Sequence, residues 1–177
     1  MKIIVVMPAY NAEKTLKTTY ADISRESVSE IILCDDYSSD RTVKIAHALG
    51  IEVIAHEKNM GYGANQKTLY RKALERGADI VVMLHADNQY DATKIPEMIK
   101  PIIEGKADCV LGSRISGGKA ISGGMPLYKY IANRFLTFFQ NLVLRQKLSE
   151  YHTGLRAYSR KFLETVSWRD NSNGFLF

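Results

Sequence analysis

Three polar clusters hold most of the side chains that can do chemistry in this sequence. Asp35 and Asp36 stand side by side, followed by Ser38, Ser39 and Asp40. Adjacent carboxylates repel one another, so the pair is expected to divide its work. One faces a cleft and accepts hydrogen bonds from a base or a ribose; the other holds the loop. The same residues also suit an Asx turn that caps a helix. In the second cluster His85, Asp87 and Gln89 alternate, and an extended strand would turn all three to one side. Oxygen ligands from Asp87 and Gln89 suit Mg²⁺ or Mn²⁺, hard cations that keep waters and share diphosphate oxygens. Such a cation neutralises a diphosphate as it departs. The plainer alternative is that Asn88 or Asp91 caps the next helix. The third cluster, Pro8-Ala9-Tyr10-Asn11-Ala12-Glu13, follows the first apolar run without a GxGxxG turn. Its absence removes the main support for a dinucleotide redox cofactor. Gly61-Tyr62-Gly63 is an isolated GxG with Gln66 at the third glycine position, a weak signal.

The elements that position these clusters are legible as alternating runs. Residues 3–7, 30–34, 51–55, 79–84 and 107–111 are short and nearly continuously apolar. Strands of this kind are buried on both faces and pair mostly in parallel. Between them lie helical segments. Asn11 is expected to cap a helix reaching about Arg25. Ser39 or Asp40 caps a second, with Val43, Ala46 and Leu49 on one face and Gly50 as its stop. A third covers about 63–76 and ends at Gly77. In the fourth, Ile95, Met98, Ile99, Ile102 and Ile103 recur at helical spacing, with Pro101 bending or shortening it. The β-α alternation predicts an α/β fold, a doubly wound, mostly parallel sheet with helices on both faces, formed as a single domain over 1–177. Ligands of such sheets collect at the carboxyl ends of the strands, where the polar clusters fall. Beyond residue 111 come a glycine-rich stretch, a long helix over 127–144, a strand near 153–158 and a helix near 160–166.

Composition narrows the partners. The net charge of +5 is spread without a Lys/Arg-rich block, so nucleic acid is not expected as a partner. Cys34 and Cys109 lie in apolar runs without metal-ligand spacing and read as reduced core residues. With no cleavable leader in view, a cytoplasmic location is expected, at the membrane face if the acceptor is a lipid. Lys129, Asn133, Arg134, Gln140, Asn141 and Arg145 interrupt the apolar residues of 127–144, so this helix is not expected to span a bilayer. It reads either as an interfacial helix making peripheral membrane contact or as a cover for the sheet or an oligomer contact. The apolar run 173–177 has no polar tail, and the domain is expected to be truncated there.

Taken in order, Pro8-Ala9-Tyr10-Asn11, Cys34 to Asp40, Asn59-Met60-Gly61-Tyr62-Gly63-Ala64-Asn65, His85-Ala86-Asp87-Asn88-Gln89 and Gly112-Ser113-Arg114 resemble family 2 glycosyltransferases, particularly the dolichyl- or polyprenyl-phosphate sugar transferases. The resemblance implies a GT-A fold, a nucleoside-diphosphate sugar donor, a divalent cation and inversion at the anomeric carbon. It sets Pro8, Tyr10 and Glu13 along the nucleoside, Asp36 on the base, Asp87 and Gln89 at metal and diphosphate, and Arg114 on an acceptor phosphate. A guanidinium fork grips phosphate with two parallel hydrogen bonds. In two places the chain departs from the family pattern. His85 replaces the first acid of an Asp-x-Asp metal motif; imidazole suits Mg²⁺ poorly, so His85 is expected beside the diphosphate, not on the metal. Glu150, in Glu150-Tyr151-His152-Thr153-Gly154, fills the acidic position of an Asp-Pro-x-Ser-Gly segment on the acceptor side. It would serve as a base only for a hydroxyl acceptor, because a phosphate oxygen is already ionised. Transfer to a saccharide hydroxyl, or nucleotide-sugar binding with little catalysis, are the alternatives.

Overall fold

The structure, a computed structural model, describes residues 1–113, 115, 126–151 and 153–174. Arg114, His152 and the end of the apolar C-terminal run lie outside the described residues.

Six strands form one sheet in the order β3-β2-β1-β4-β6-β5. β1 (Ile3–Ala9), β2 (Glu30–Asp35), β3 (Glu52–Ala55) and β4 (Ile80–Leu84) are mutually parallel. β6 (Leu155–Ser159) is inserted antiparallel between β4 and β5 (Cys109–Leu111). The expected doubly wound, mostly parallel α/β sheet is therefore present, with one reversed strand. Because β6 runs against both neighbours, β5 points the same way as β4.

Alternate residues of the central strands feed two cores. On one face Val5, Met7, Leu33, Val82 and Leu84 pack against Leu16 of α1 (Leu16–Ala21), Ala46 of α2 (Thr42–Ala48) and Ile95, Met98, Ile99 and Ile102 of α4 (Ile95–Ile103). On the other, Ile4, Val6, Ile32, Val81 and Met83 meet Leu69, Tyr70 and Ala73 of α3 (Tyr62–Glu75), Leu163 of α6 (Arg160–Thr165) and Trp168. Full burial of such a side chain contributes about 1.5–3 kcal/mol, so the central strands are fixed by packing on both sides. A final helix, α5 (Leu127–Leu144), has the bounds expected from sequence.

The first helix differs from expectation. α1 is short, and Asn11 does not cap it: Asn11 takes a left-handed conformation (φ 51°). Its side-chain oxygen accepts from the Ser39 amide across the loop, at 2.9 Å. The N-cap of α2 is Arg41 and not Ser39 or Asp40, although Asp40 accepts from the first helical amide, Thr42, at 2.9 Å; Gly50 ends α2 at φ 71°.

Cys34 shows how dry the β2 end is. Burial, reinforced by Asp36 and then Asp35, pushes its thiol from 9.0 up to about 12. The folded chain therefore keeps a proton that the unfolded chain releases, and this site's contribution to stability is lost as pH climbs through that window. At mildly alkaline pH the native protein should leave Cys34 unmodified by a thiol-disulfide reagent, while the guanidinium-unfolded chain reacts there. Rapid modification of native Cys34, read by mass spectrometry, would contradict this burial.

Candidate active site

A cleft of about 300 Å³ opens at the carboxyl edge of the sheet. It lies at the switch point between β1 and β4, where the chain turns to opposite sides and doubly wound folds bind ligands. Pro8, Ala9, Tyr10 and Ala12 line it from the end of β1, and Asp36 from the end of β2. Asn59, Gly61, Tyr62 and Asn65 contribute from the start of α3, and His85, Ala86 and Asp87 from the end of β4.

The two adjacent carboxylates do divide their work. Asp35 turns into its own loop, accepting from the Ser38 amide at 2.9 Å. Asp36 is buried and accepts from the Met60 amide (2.9 Å) and the Gly61 amide (2.9 Å), with His56 Nδ1 at 2.7 Å. A carboxylate offers about four acceptor sites, so Asp36 keeps capacity toward the cleft that it lines. His56 is braced behind it by the Thr68 hydroxyl, 3.0 Å from Nε2. Gly61 sits at φ 94°, and a β-carbon there would lie 2.5 Å from the Asn173 carbonyl oxygen. Only glycine fits that turn. The first amides of α3, Gly63 and Ala64, donate to the carbonyls of Gly174 and Asn173.

The third wall is aromatic. His85 Nε2 is 2.6 Å from the Tyr62 hydroxyl, and the ring stands edge-on to both Tyr62 and Tyr90. Burial pushes the Tyr62 phenol up to about 12, so it stays a proton donor at neutral pH. With the phenol donating, Nε2 accepts; Nδ1 lies 3.8 Å from Asp87 Oδ2, beyond direct hydrogen-bond distance. The Tyr62 hydroxyl thus holds the ring at Nε2, in the wall of the cleft. Gly154 makes this possible: a β-carbon there would lie 2.6 Å from His85 Nδ1.

The alternation argument for Gln89 does not survive. β4 ends at Leu84, and Asn88 is left-handed at φ 58°, so 85–89 is a turn and not a strand. Asp87 lies at the cleft rim and accepts from the Gln89 amide at 3.0 Å, whereas Gln89 is exposed outside the lining. Glu13 is also elsewhere. Arg41 binds its carboxylate through the backbone amide and then the side chain, and these bonds hold it below the usual range. Glu150 is buried beneath α5, with Asn133 donating to it at 3.1 Å, and it too lies outside the lining. Pro8, Tyr10, Asp36, His85 and Asp87 are the expected residues that the structure brings together. His56 escaped the sequence reading, which named Tyr62, Asn65 and Gly154 within its motifs but gave them no role of their own.

Among the described residues no three His, Cys, Asp or Glu side chains converge as a metal cage. Asp87 fits the other mode, in which one carboxylate holds Mg²⁺ or Mn²⁺ and substrate diphosphate and water complete the shell.

Fold and cleft define a doubly wound α/β domain with a cleft at its switch point. The chain belongs to glycosyl transferase family 2, whose model matches residues 4–167. Among its relatives is the UDP-N-acetylglucosamine–dolichyl-phosphate N-acetylglucosaminyltransferase of Methanococcus voltae, 35% identical over 93% of this chain and 72% of that protein. The dolichyl-phosphate hexose transferase of Haloferax volcanii is 31% identical over 95% of this chain and 71% of its own length. In structure the chain is similar to glucosyl-3-phosphoglycerate synthase from Mycobacterium tuberculosis, solved with Mn²⁺, uridine-diphosphate-glucose and phosphoglyceric acid. That likeness has a TM-score of 0.66 at 25% identity, and covers 90% of this chain and 57% of that one. The fold is accordingly of the GT-A type.

Asp36→Ala should lower stability by about 1–3 kcal/mol for each buried donor left unmatched, and Asp36→Asn by less, in urea unfolding. Gly154→Ala should displace the His85 ring, at a cost of about 1–3 kcal/mol for overpacking. An unchanged His85 side-chain NMR signal in Gly154→Ala would refute the wedge.

Proposed function

We propose that this chain transfers a sugar from a nucleoside diphosphate to a polyprenyl or dolichyl phosphate, with inversion at the anomeric carbon. The observation that carries the reading is the pairing, in one cleft, of a buried acceptor at its base, Asp36, with a carboxylate at its rim, Asp87. That arrangement suits a ligand with a hydrogen-bonding base at one end and a polyanion at the other. Family membership and the relatives' names support it.

In this reading Asp36 accepts a hydrogen bond from the base, and Pro8 and Tyr10 flank the nucleoside. Asp87 would hold Mg²⁺ or Mn²⁺, and the ion, when bound, supplies positive charge against the departing diphosphate. His85, held by Tyr62 and Gly154, walls the diphosphate end. The acceptor's phosphate oxygen forms the new bond to the anomeric carbon while the bond to the donor diphosphate breaks, and the nucleoside diphosphate leaves with the electron pair. An ionised phosphate needs no general base, which agrees with Glu150 sitting under α5, away from the cleft lining. Arg114, which follows Ser113 in sequence, is assigned to the acceptor phosphate. Such an acceptor would bring the chain to a membrane face.

A thermal-shift panel of nucleoside-diphosphate sugars, starting with UDP-sugars, should single out one donor whose stabilisation grows with Mn²⁺. At a hundredfold excess over Kd the gain is about 2.7 kcal/mol. Asp87→Ala should remove the Mn²⁺-dependent part and leave the nucleoside contribution. If no donor stabilises the protein at any Mn²⁺ concentration, the proposal is wrong.

For the acceptor, Arg114→Lys keeps the charge but loses the planar fork. It should reduce transfer to a short-chain polyprenyl phosphate while donor affinity stays constant. Weakened donor binding with unchanged acceptor dependence would move Arg114 to the donor site and favour a saccharide acceptor.

A further inference from the structure

Helix α5 is turned inside out. A helix covering a water-soluble domain buries its apolar stripe and exposes its polar one. Here the inward positions are Tyr130, Asn133, Thr137, Gln140 and Asn141: Tyr130 packs on Ile115, the other four are polar, and Thr137 is the only fully buried residue of the helix. Polar bonds hold this face down. Asn133 donates to Glu150 at 3.1 Å and accepts from Thr137 at 3.1 Å. Asn141 exchanges two hydrogen bonds with the Leu148 backbone and accepts from the Tyr151 hydroxyl at 2.9 Å.

The opposite face is large and apolar. Ile131, Phe135, Phe138, Phe139, Leu142 and Val143 are all exposed, Phe135 to 69% and Phe138 to 68%. At about 100° per residue they occupy one continuous arc, and Lys129 and Arg134 fall at its two edges. Long basic side chains at such edges can keep their charges in a polar layer while their stems follow the apolar surface. Charge selects the occupant. From 109 to 149 the sequence contains no Asp or Glu, while α5 and the residues just after it carry Lys129, Arg134, Arg145 and Lys147. A second copy of this chain would bring the same positive charges against themselves. No helix of the described residues is long and apolar enough to cross a membrane.

We propose that α5 is a bilayer-docking helix that lies in the plane of a membrane containing anionic lipid, with Phe135 and Phe138 below the headgroups and Lys129 and Arg134 among them. The geometry is that of interfacial amphipathic helices. The proposal stands on the α5 surface and not on the donor assignment.

The test is flotation of the full chain with vesicles of phosphatidylcholine alone or of equimolar phosphatidylcholine and phosphatidylglycerol. Binding to the anionic vesicles should be at least tenfold stronger and should weaken with salt, as expected for about two or more basic residues at the surface. Phe135→Ser/Phe138→Ser should lose at least tenfold on anionic vesicles, in proportion to the apolar area no longer buried. Lys129→Gln/Arg134→Gln should lose only the anionic preference. Phe138→Trp should show fluorescence quenched by brominated acyl chains, which headgroup adsorption alone would not produce. Donor titration without vesicles runs in parallel and should be unchanged in all these exposed-face variants. If vesicles fail to bind while donor titration succeeds, the docking helix is refuted and the donor reading stands. If the chain instead dimerises and Phe135→Ser/Phe138→Ser abolishes the dimer without vesicle binding, the face belongs to a second copy and the proposal is overturned.

Discussion

The buried carboxylate of Asp36 is the bond on which the cleft depends. Desolvating a carboxylate is costly unless donors replace the lost water. Here two backbone amides, Met60 and Gly61, and the His56 ring do so. Those donors come from the segment between β3 and α3, so satisfying Asp36 fixes the path of that segment. Gly61 is drawn into its left-handed turn, and α3 starts where Tyr62 and Asn65 reach the cleft. The charge therefore shapes the wall on which a ligand would rest.

The other wall is set by shape. Tyr62, Tyr90 and Gly154 leave one position for the His85 ring. Since Gly154 immediately precedes β6 and His85 immediately follows β4, the pairing of those two strands also orients the imidazole. Tyr62 belongs to both walls, because it opens the helix that Asp36 positions and it holds the ring that Gly154 wedges.

Most of the fold was legible because its strands are short apolar runs and its helices keep their period. Asp36 and Asp87 were legible as acids at strand ends. What escaped depended on partners distant in sequence. Nothing local marks His56 as the brace of Asp36 or Gly154 as the seat of His85. Gln89 was misread because strand alternation was carried past Leu84 into a turn with a left-handed Asn88. Glu13 lies outside the cleft lining, paired with Arg41 of a neighbouring loop, a partner that local sequence does not mark. For α5 the sequence displays two faces without saying which one points inward. Asn133 and Asn141 settle that through hydrogen bonds to residues that follow the helix.

The reversed strand has a consequence for how the chain is made. β1 to β4 pair within the first half of the sequence, so their loops close early during synthesis. β5 has no partner until β6 emerges and slots between it and β4. Until then β4 presents a bare, fully apolar edge, the kind of template that recruits other chains. The β1–β4 half of the sheet is complete in the chain before β6 is made, so it is expected to take shape first. In a translating ribosome, Leu155–Ser159 acts as the latch that ends the period of greatest aggregation risk.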